Sequence, residues 1–577
     1  MASHTTNKRP ETPERHPSDS ISDSDATAIP PDPDLTSKEK RAASPTPPED
    51  DPEAARPQDS GVYGSTPVHI FSDPRVAEYW RGVYEKARYE GRHRFDPAFT
   101  WAADEELRLR RKVDKRVITW AWLMFFSLDL NRRSANQAIA DDMLPDLGMD
   151  TNEFNTGQTI FLISFLCAEL PSGLISKKLG PDRWIPGLIV GWSIVAACQA
   201  ALTGATGYYV CRCLLGLLMG GFIPDLVLWI TYWYRKRELP IRLSWFYTVL
   251  STCQVIGALL AAGILQMRGL AGLAGWRYLF LIEGLVTLVV GACSWTMMPA
   301  SPCQTAGRGR GRNGWFTEHE ERILVNRLLR DDPSKGDMNN RQAVTPRLLW
   351  KCLKDYDLWP LYLIGLMAYT PPTPIQQYLT FIIREMGFSP MHANLLAIPA
   401  FFMFGVNLLL ISRLSEWVSE RSFMSLLSNA WMLPFFAALV AVPDTASYWV
   451  RYALLSCVLA YPYCHAVVIA WSSRNSNSVR ARAVFAALYN MFVQGGNIIG
   501  ANIYREEDRP YYRRGNKVLL GITVFNVFLF VAVKFYYIGR NKRRQEVWRR
   551  MTEGERIDYI YNTEDEGTKR LDFRFAH

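Results

Sequence analysis

Apolar and polar residues follow one another along this chain in long blocks rather than in short alternation. After a strongly polar N-terminal stretch, apolar runs are separated by short charged segments, and a helix needs about twenty apolar residues to cross a membrane. The pattern predicts twelve membrane-spanning helices. We number them α1 to α12 and expect them at residues 117–138, 157–176, 184–204, 206–231, 244–266, 275–298, 357–382, 391–412, 422–442, 447–471, 482–503 and 517–539.

The twelve predicted helices fall into two groups of six, which predicts an all-α, polytopic membrane protein built from two six-helix halves. This layout is typical of a large class of secondary carriers. The expected divisions are a disordered cytoplasmic tail (1–66), a cytoplasmic lead-in of amphipathic and charged helices (67–116), the N-terminal half (117–298), a cytoplasmic connector (299–356), the C-terminal half (357–539) and a cytoplasmic C-terminal tail (540–577). The first division is rich in Ser, Pro, Asp and Glu, a composition that cannot offset the entropy cost of ordering.

Lys and Arg concentrate in the cytoplasmic loops of membrane proteins. They cluster after α2, after α4, in the connector and after α12, whereas the loop after α1 is acidic. These loops predict that both termini lie in the cytoplasm. One loop disagrees, because residues 504–516 between α11 and α12 should lie outside and yet contain Arg505, Arg509, Arg513 and Arg514.

Several classes of protein are disfavoured by what the sequence lacks. Most of the ten cysteines lie in apolar runs without a Cys-x-x-Cys pair, so we expect buried thiols, no disulfide framework and no metal site. No phosphate-binding loop and no hydrolase motif occurs. We therefore expect neither an enzyme nor an ATP-driven pump, no cofactor, and no nucleic-acid partner, since the basic runs flank helices.

Ionisable side chains inside apolar helices are the first functional candidates, because burying them in lipid costs roughly 2.5–3.5 kcal/mol each. In α1, Asp129, Arg132 and Asn136 follow the spacing i, i+3 and i+7 and share one helix face. We interpret Arg132 and Asn136 as substrate-binding and Asp129 as proton-coupling. The alternative is an internal Asp–Arg pair that neutralises itself.

In α4, Arg212 precedes Gly216 and Gly220, which places a permanently charged, forked donor above a small-residue packing face. Such a donor suits a carboxylate, sulfate or phosphate. Alternatively, Arg212 is structural and donates to backbone carbonyls. Asp225, next to Pro224, is a further proton-coupling candidate in the same helix.

Glu169 in α2, Glu283 in α6 and His465 in α10 complete the proton-coupling candidates, since each could gain and lose a proton inside the bundle. The alternative for the two glutamates is a structural hydrogen bond to a neighbouring helix. For His465 the alternative is a packing role.

In α7, residues 369–378 read Tyr-Thr-Pro-Pro-Thr-Pro-Ile-Gln-Gln-Tyr, and three prolines would break or kink a helix. A break is tolerated where the backbone lines protein or a cavity. Amide side chains near that break and on neighbouring helices are therefore predicted to line a substrate path, although they could equally hold helices together. They are Gln376, Gln377, Asn407, Asn490 and Gln494.

Several longer stretches carry a family resemblance. They are residues 168–186 (Ala-Glu-Leu-Pro-Ser-Gly through Gly-Pro-Asp-Arg-Trp-Ile-Pro), Arg212 with 220–225, Glu-Leu-Pro-Ile-Arg at 238–242, Gly-Trp-Arg-Tyr-Leu-Phe-Leu-Ile-Glu-Gly at 275–284, 471–477 and 512–516. Over about residues 67–540 the chain resembles the Major Facilitator Superfamily and, within it, the fungal anion:cation symporters typified by allantoate permease. The resemblance implies a twelve-helix carrier that alternates access, usually by proton symport. It also implies a gating loop at Gly180, Asp182 and Arg183.

The chain departs from that family pattern at specific positions. The family commonly has Leu-Asp-x-Asp-Arg-Gly-Asn in α1, where this chain has Asn131 in place of the second carboxylate and Arg133 in place of the glycine. Met219 stands where α4 commonly has an acidic residue, and Gly173 replaces a Gln or Asn. These changes make the cavity more cationic and put an inherited coupling stoichiometry in doubt.

Together these features predict a secondary active transporter of a small organic or inorganic anion, such as a carboxylate, a vitamin-like acid, a sulfonate or sulfate, with protons as the coupling ion. We expect a monomer in the lipid bilayer of the plasma membrane. The alternatives are an exporter of a secondary metabolite and, less favoured because the tails are short or disordered, a non-transporting nutrient sensor.

Overall fold

The computed structural model describes residues 69–576 except 236–237, 308–309, 312–313, 337–349, 351–352, 419, 444, 476–478 and 564–566. The predicted disordered tail, 1–66, lies outside the described residues. The described residues of 69–556 and 567–576 belong to one compact unit, and residues 557–563 belong to a second unit. All of the membrane helices lie in the first unit.

Helical spans occupy all twelve predicted positions. Their bounds are α1 Thr119–Ala138, α2 Thr151–Leu179, α3 Pro181–Cys198, α4 Ala205–Met219 with Phe222–Thr231, α5 Leu239–Tyr247 with Val249–Ile264, α6 Gly275–Met297, α7 Trp359–Met367 with Pro372–Glu385, α8 Pro390–Val418, α9 Ser422–Ala441, α10 Tyr448–Leu459 with His465–Asn475, α11 Val479–Ala501 and α12 Arg513–Arg550. Within the described ranges, 8 spans (α2–α6, α8, α9 and α12) are long and apolar enough to cross a membrane. The same ranges contain no β-strand, so the all-α class is confirmed.

Four of the spans (α4, α5, α7 and α10) consist of two helical segments, and in α7 and α10 asparagine side chains donate to carbonyls at the break. In α7, predicted to break at its prolines, the carbonyl of Met367 accepts a hydrogen bond from Asn526 Nδ2 at 2.9 Å. In α10 the carbonyl of Ala460 accepts from Asn407 Nδ2. The sequence pattern predicted α10 as continuous, which was wrong, because Pro462 interrupts it. Such breaks persist in membranes when neighbouring helices supply the missing partners.

Helix α4 packs directly against α2 through its glycines. A Cβ atom at Gly216 would collide with the carbonyl of Phe161, and one at Gly220 would collide with the carbonyl of Phe165. The predicted small-residue packing face is therefore confirmed. This close approach determines which side chains of α4 are buried against α2, and Arg212 is one of them.

One end of the bundle, here called the connector end, carries the lead-in helices Pro74–Lys86 and Ala103–Val113 and a connector helix, Glu318–Asp331. Thr317 and Glu320 form a capping box at the start of the connector helix. The buried Arg327 of that helix pairs with Glu238 at 2.6 Å, between α4 and α5. The lead-in helices were predicted, whereas the sequence pattern gave the connector only as a polar loop.

The opposite end, here called the far end, is where the two halves meet most closely. A single apolar cluster there includes Phe154 and Trp276 from the first half and Tyr378, Tyr504 and Tyr512 from the second. Across the halves, α5 packs on α8 and α2 packs on α11. The far end is therefore closed by a shared core, above the space between the halves.

Candidate functional site

A cavity of about 1580 Å³ lies between the two halves. It reaches the connector end, where Gly180, Asp182, Arg421 and Arg474 line it. Most of the predicted site residues meet in its walls: Asp129, Arg132, Asn136, Glu169, Asp225, Gln376, Gln377, His465, Asn490 and Gln494. The large internal cavity between two helical halves is the kind of place in which carriers bind their substrates.

Helix α1 brings three charged side chains to the cavity, and only two of them pair. Arg133 Nε donates to Asp129 Oδ2 at 2.7 Å, an i, i+4 ion pair whose carboxylate is buried. Arg132 forms no ion pair with any described residue, and its guanidinium lies over the rings of Phe161 (5.7 Å) and Phe165 (5.6 Å). The self-neutralising pair considered from the sequence exists, but it uses Arg133, so that Arg132 faces the cavity without an ion pair to a described residue.

Arg212, Glu283 and Asn407 do not line the cavity. Arg212 is only 1% exposed, and its guanidinium lies against Tyr208 (5.1 Å) and Phe161 (5.9 Å), so that Phe161 contacts both Arg212 and Arg132. Glu283 is buried in the first half and accepts a hydrogen bond from Ser134 Oγ. Asn407 supports the break in α10. These three side chains can influence a substrate in this conformation only through the residues in front of them.

Asp225 belongs to a polar contact network with Ser172 and Trp184, beside the predicted gating loop near the connector end. Ser172 Oγ donates to Asp225 Oδ2 at 3.0 Å, and Trp184 Nε1 donates to Ser172 Oγ at 2.8 Å. Gly180 has a positive φ of 90° at the turn between α2 and α3, a conformation that favours glycine. Asp225 thereby links α4 to the start of α3 through α2, while the Arg183 side chain is exposed.

The amide side chains of the second half line the cavity from α7 and α11. Gln377 Nε2 donates to Asn155 Oδ1 of α2 at 3.0 Å, and Gln376 Nε2 lies 3.4 Å from Gln254 Oε1 of α5. Gln494 Oε1 accepts from Asn497 Nδ2 at 2.9 Å. Several predicted amides therefore both line the path and hold helices together, which were the two alternatives left open by the sequence.

An aromatic group was missed in the sequence. Tyr369 from the break in α7 and Tyr461, Tyr463 and His465 from the break in α10 line the cavity together. The Tyr463 ring stacks on His465 with centroids 5.6 Å apart and contacts Tyr369 at 5.5 Å. The Tyr-Pro-Tyr run at 461–463, inside an apolar stretch, was the available signal for this part of the site.

The comparisons with known proteins agree with this architecture. The sequence profile described as Major Facilitator Superfamily matches residues 121–501. An uncharacterized transporter of Saccharomyces cerevisiae, YIL166C, is 47% identical over 509 residues, which cover 88% of this chain and 94% of that protein.

Two solved structures are similar in fold. A bacterial homolog of the human lysosomal transporter Spinster, inward-facing and unoccupied, has a TM-score of 0.56 at 14% identity, covering 72% of this chain and 96% of its own. The xylose transporter XylE from E. coli, in a partially occluded inward open conformation, has a TM-score of 0.54 at 14% identity, covering 72% and 97%. At this identity the similarity concerns the fold alone.

Proposed function

The chain belongs to the Major Facilitator Superfamily, and we propose that it is a secondary active transporter that moves a small organic or inorganic anion by proton symport with alternating access. The superfamily expected from the sequence is thereby confirmed, and the chain is a transporter rather than an enzyme. Within the superfamily we place it among the fungal anion:cation symporters that resemble allantoate permease. We further propose a monomer in the plasma membrane with both termini in the cytoplasm.

The observation that carries the anion assignment is the cavity-facing charge of Arg132, which forms no ion pair with a described residue. A guanidinium is protonated at every physiological pH and binds carboxylate or sulfur oxyanions through two parallel hydrogen bonds. Arg133, one residue away, is already neutralised by Asp129. Phe161 and Phe165 flank Arg132 and limit its contact with water, so an anion entering the cavity finds one strong partner there.

The remaining site residues take supporting roles in this proposal. Asn136, Gln376, Gln377, Asn490 and Gln494 would orient the substrate by hydrogen bonds, since all of them line the cavity. Arg212 would act from behind Phe161, where its charge adds to the positive potential around Arg132. Asn407 would act through the α10 break.

For proton coupling we favour Glu169 among the candidates. It lines the cavity, and no described residue forms an ion pair or a hydrogen bond with its carboxyl group. Asn131, where related carriers commonly have a carboxylate, donates to Thr287 Oγ1 at 2.6 Å and cannot carry a proton. Asp129 is engaged with Arg133, Asp225 with Ser172, and Glu283 with Ser134, so these three, like His465, would follow Glu169 in importance.

The test is uptake of a radiolabelled anion panel (allantoate, nicotinate, pantothenate, sulfate and a sulfonate) by cells that lack their own carriers, at acidic and at mildly alkaline pH. We expect accumulation that is greater at acidic pH and collapses with a protonophore. Arg132→Gln should abolish it, whereas the double variant Asp129→Asn/Arg133→Gln, which removes the neighbouring ion pair without changing the net charge, should retain part of it. Loss of pH dependence in Glu169→Gln would identify the coupling group.

A protein that is present at the cell surface and takes up none of these anions would overturn the import proposal. Export would then be measured as the release of preloaded anions from the same cells.

A further inference from the structure

The loop between α11 and α12 reaches across the far end and caps a helix of the other half. The backbone N–H of Thr151, the first residue of α2, donates to Glu506 Oε2 at 3.1 Å, and the Thr151 hydroxyl donates to the same oxygen. The first turn of a helix presents unpaired N–H groups and a partial positive charge, so a carboxylate is a favourable partner there. Glu506 therefore joins the second half to the start of α2.

Further contacts surround this one. Asn155 Nδ2 donates to the Tyr504 carbonyl at 2.7 Å, and Tyr378 Oη donates to Asn155 Oδ1 at 2.6 Å. Arg509 forms ion pairs with both Glu506 and Glu385 of α7. The first turns of α2 are thus held from two sides, by the α11–α12 loop and by α7, directly over the aromatic cluster that closes the far end.

These contacts also explain why the loop at residues 504–516, which was predicted to lie outside, contains four arginines. Arg509 is paired with two carboxylates, and Arg513 lies near the Val442 carbonyl at 3.4 Å. The same loop carries Glu506, Glu507 and Asp508. Two of its arginines, Arg509 and Arg513, therefore contact other far-end residues and do not add to an unpaired positive surface.

We propose that Glu506 is the latch of the far-end gate: it holds the start of α2 to the α11–α12 loop while the far end is closed, and it must release Thr151 before the cavity opens there. The inference concerns alternating access in this transporter and does not depend on which anion is carried. Among the far-end contacts of the described residues, Glu506 is the one that meets α2 with a full charge, so it is the contact that a single proton can weaken most.

The latch should respond to pH in a defined direction. Partial burial raises the pKa of Glu506, but the hydrogen bonds from Thr151 and the charge of Arg509 outweigh burial and leave the pKa below its ordinary value. Charged or titratable groups surround Glu506 on four elements. The start of α2 contributes Asp150 and Glu153, and α7 contributes Tyr378 and Glu385. The loop itself contributes Arg505, Glu507, Asp508 and Arg509, and the start of α12 contributes Tyr512. Because the closed state favours the ionised carboxylate, its stabilisation is complete above the ordinary pKa of a glutamate and is lost as pH falls through the lowered pKa.

The test is the accessibility of a cysteine placed under the gate. Ala501 lines the cavity near the far end, so Ala501→Cys supplies a local probe once the exposed Cys167, Cys198 and Cys293 have been replaced by serine. Labelling by a membrane-impermeant thiol reagent is compared in sealed vesicles of both orientations. From the far-end side, Glu506→Ala should raise the labelling rate several-fold, while the matched variant Glu507→Ala, which removes the neighbouring charge, should leave it unchanged.

A second variant separates the latch from a folding defect. Glu506→Gln keeps the side-chain shape and an oxygen for Thr151 but loses the titratable charge. The far-end labelling rate, divided by the connector-end rate of the same cysteine at the same pH to cancel the loss of thiolate, should rise on acidification in the parent protein and should not depend on pH in Glu506→Gln. Equal far-end labelling in the parent, Glu506→Ala and Glu507→Ala proteins, with connector-end labelling intact in all three, would overturn the latch while leaving the transport proposal untouched.

Discussion

The two walls of the cavity come from halves with the same layout, yet they are built differently. The wall from the first half includes the unbroken helices α1 and α2, which carry charge: Asp129, Arg132, Arg133 and Glu169. The wall from the second half contains the broken helices α7 and α10 and carries rings: Tyr369, Tyr461, Tyr463 and His465.

The difference shows that the local backbone conformation determines which side chains can face the cavity. On an unbroken helix, positions four apart are neighbours, which is the spacing of the Asp129–Arg133 pair. Positions two apart do not face the same way on a helix. Tyr461, Tyr463 and His465 can all line the cavity because the helix stops at Leu459 and resumes at His465.

The largest effect is expected from breaking the ion pair of the charged wall. Asp129→Asn leaves Arg133 without its partner, and removing one member of a well-buried pair costs several kcal/mol. Because Arg133 is partly exposed to the cavity, we expect a loss of about 2–3 kcal/mol in the free energy of unfolding, measured by thermal unfolding in detergent.

The double variant Asp129→Asn/Arg133→Gln serves as its control and should recover most of that loss, since neither charge is then left alone. Strictly additive losses in the double variant would mean that the two side chains act independently, contrary to their contact.

A smaller effect is expected from the supports of the broken wall. Asn526 donates to the Met367 carbonyl and to Asn429 Oδ1, both at 2.9 Å, whereas Asn407 donates to the Ala460 carbonyl. Asn526→Ala should therefore cost about 1–2 kcal/mol of stability and Asn407→Ala less, because a carbonyl at the break loses the hydrogen bond from the asparagine in each case. If the same thermal measurement ranks Asn407→Ala as the more damaging change, the breaks are held by other contacts.

The smallest effect is expected at the aromatic surface itself. Tyr463 contacts Tyr369, Phe404 and His465 with ring centroids between 5.5 and 5.6 Å apart. Tyr463→Leu should cost about 1 kcal/mol, since aromatic pairs contribute beyond their buried area. Tyr463→Phe keeps the ring, and the uptake assay should place its apparent KM within about twofold of the parent protein. A Phe variant as impaired as the Leu variant would show that the hydroxyl group, rather than the ring, matters.

The charged wall was largely predictable, because helical spacing alone placed Asp129, Arg132 and Asn136 on one face. What spacing could not decide was which arginine pairs with Asp129, since i+3 and i+4 are both within reach on a helix. Arg212 illustrates a second limit. Its burial behind Phe161 depends on how closely α4 approaches α2, a long-range contact that the local pattern of α4 does not contain.

The broken wall was predictable only in part. Three prolines in α7 outweigh the apolar run around them, but the single Pro462 in α10 does not, and a continuous helix was the natural expectation. The connector helix was missed for a related reason, since its polar composition concealed an amphipathic repeat that the Thr317–Glu320 capping box could have marked.

The size of the cavity has a consequence for how anions are told apart. Liquid water takes about 30 Å³ per molecule, so a space of about 1580 Å³ accommodates on the order of fifty waters. A small anion entering from the connector end therefore arrives with most of its hydration shell and sheds it only as the walls approach. Weakly hydrated anions lose less free energy at that step than strongly hydrated ones, so the ranking of substrates should follow dehydration as well as contact with Arg132.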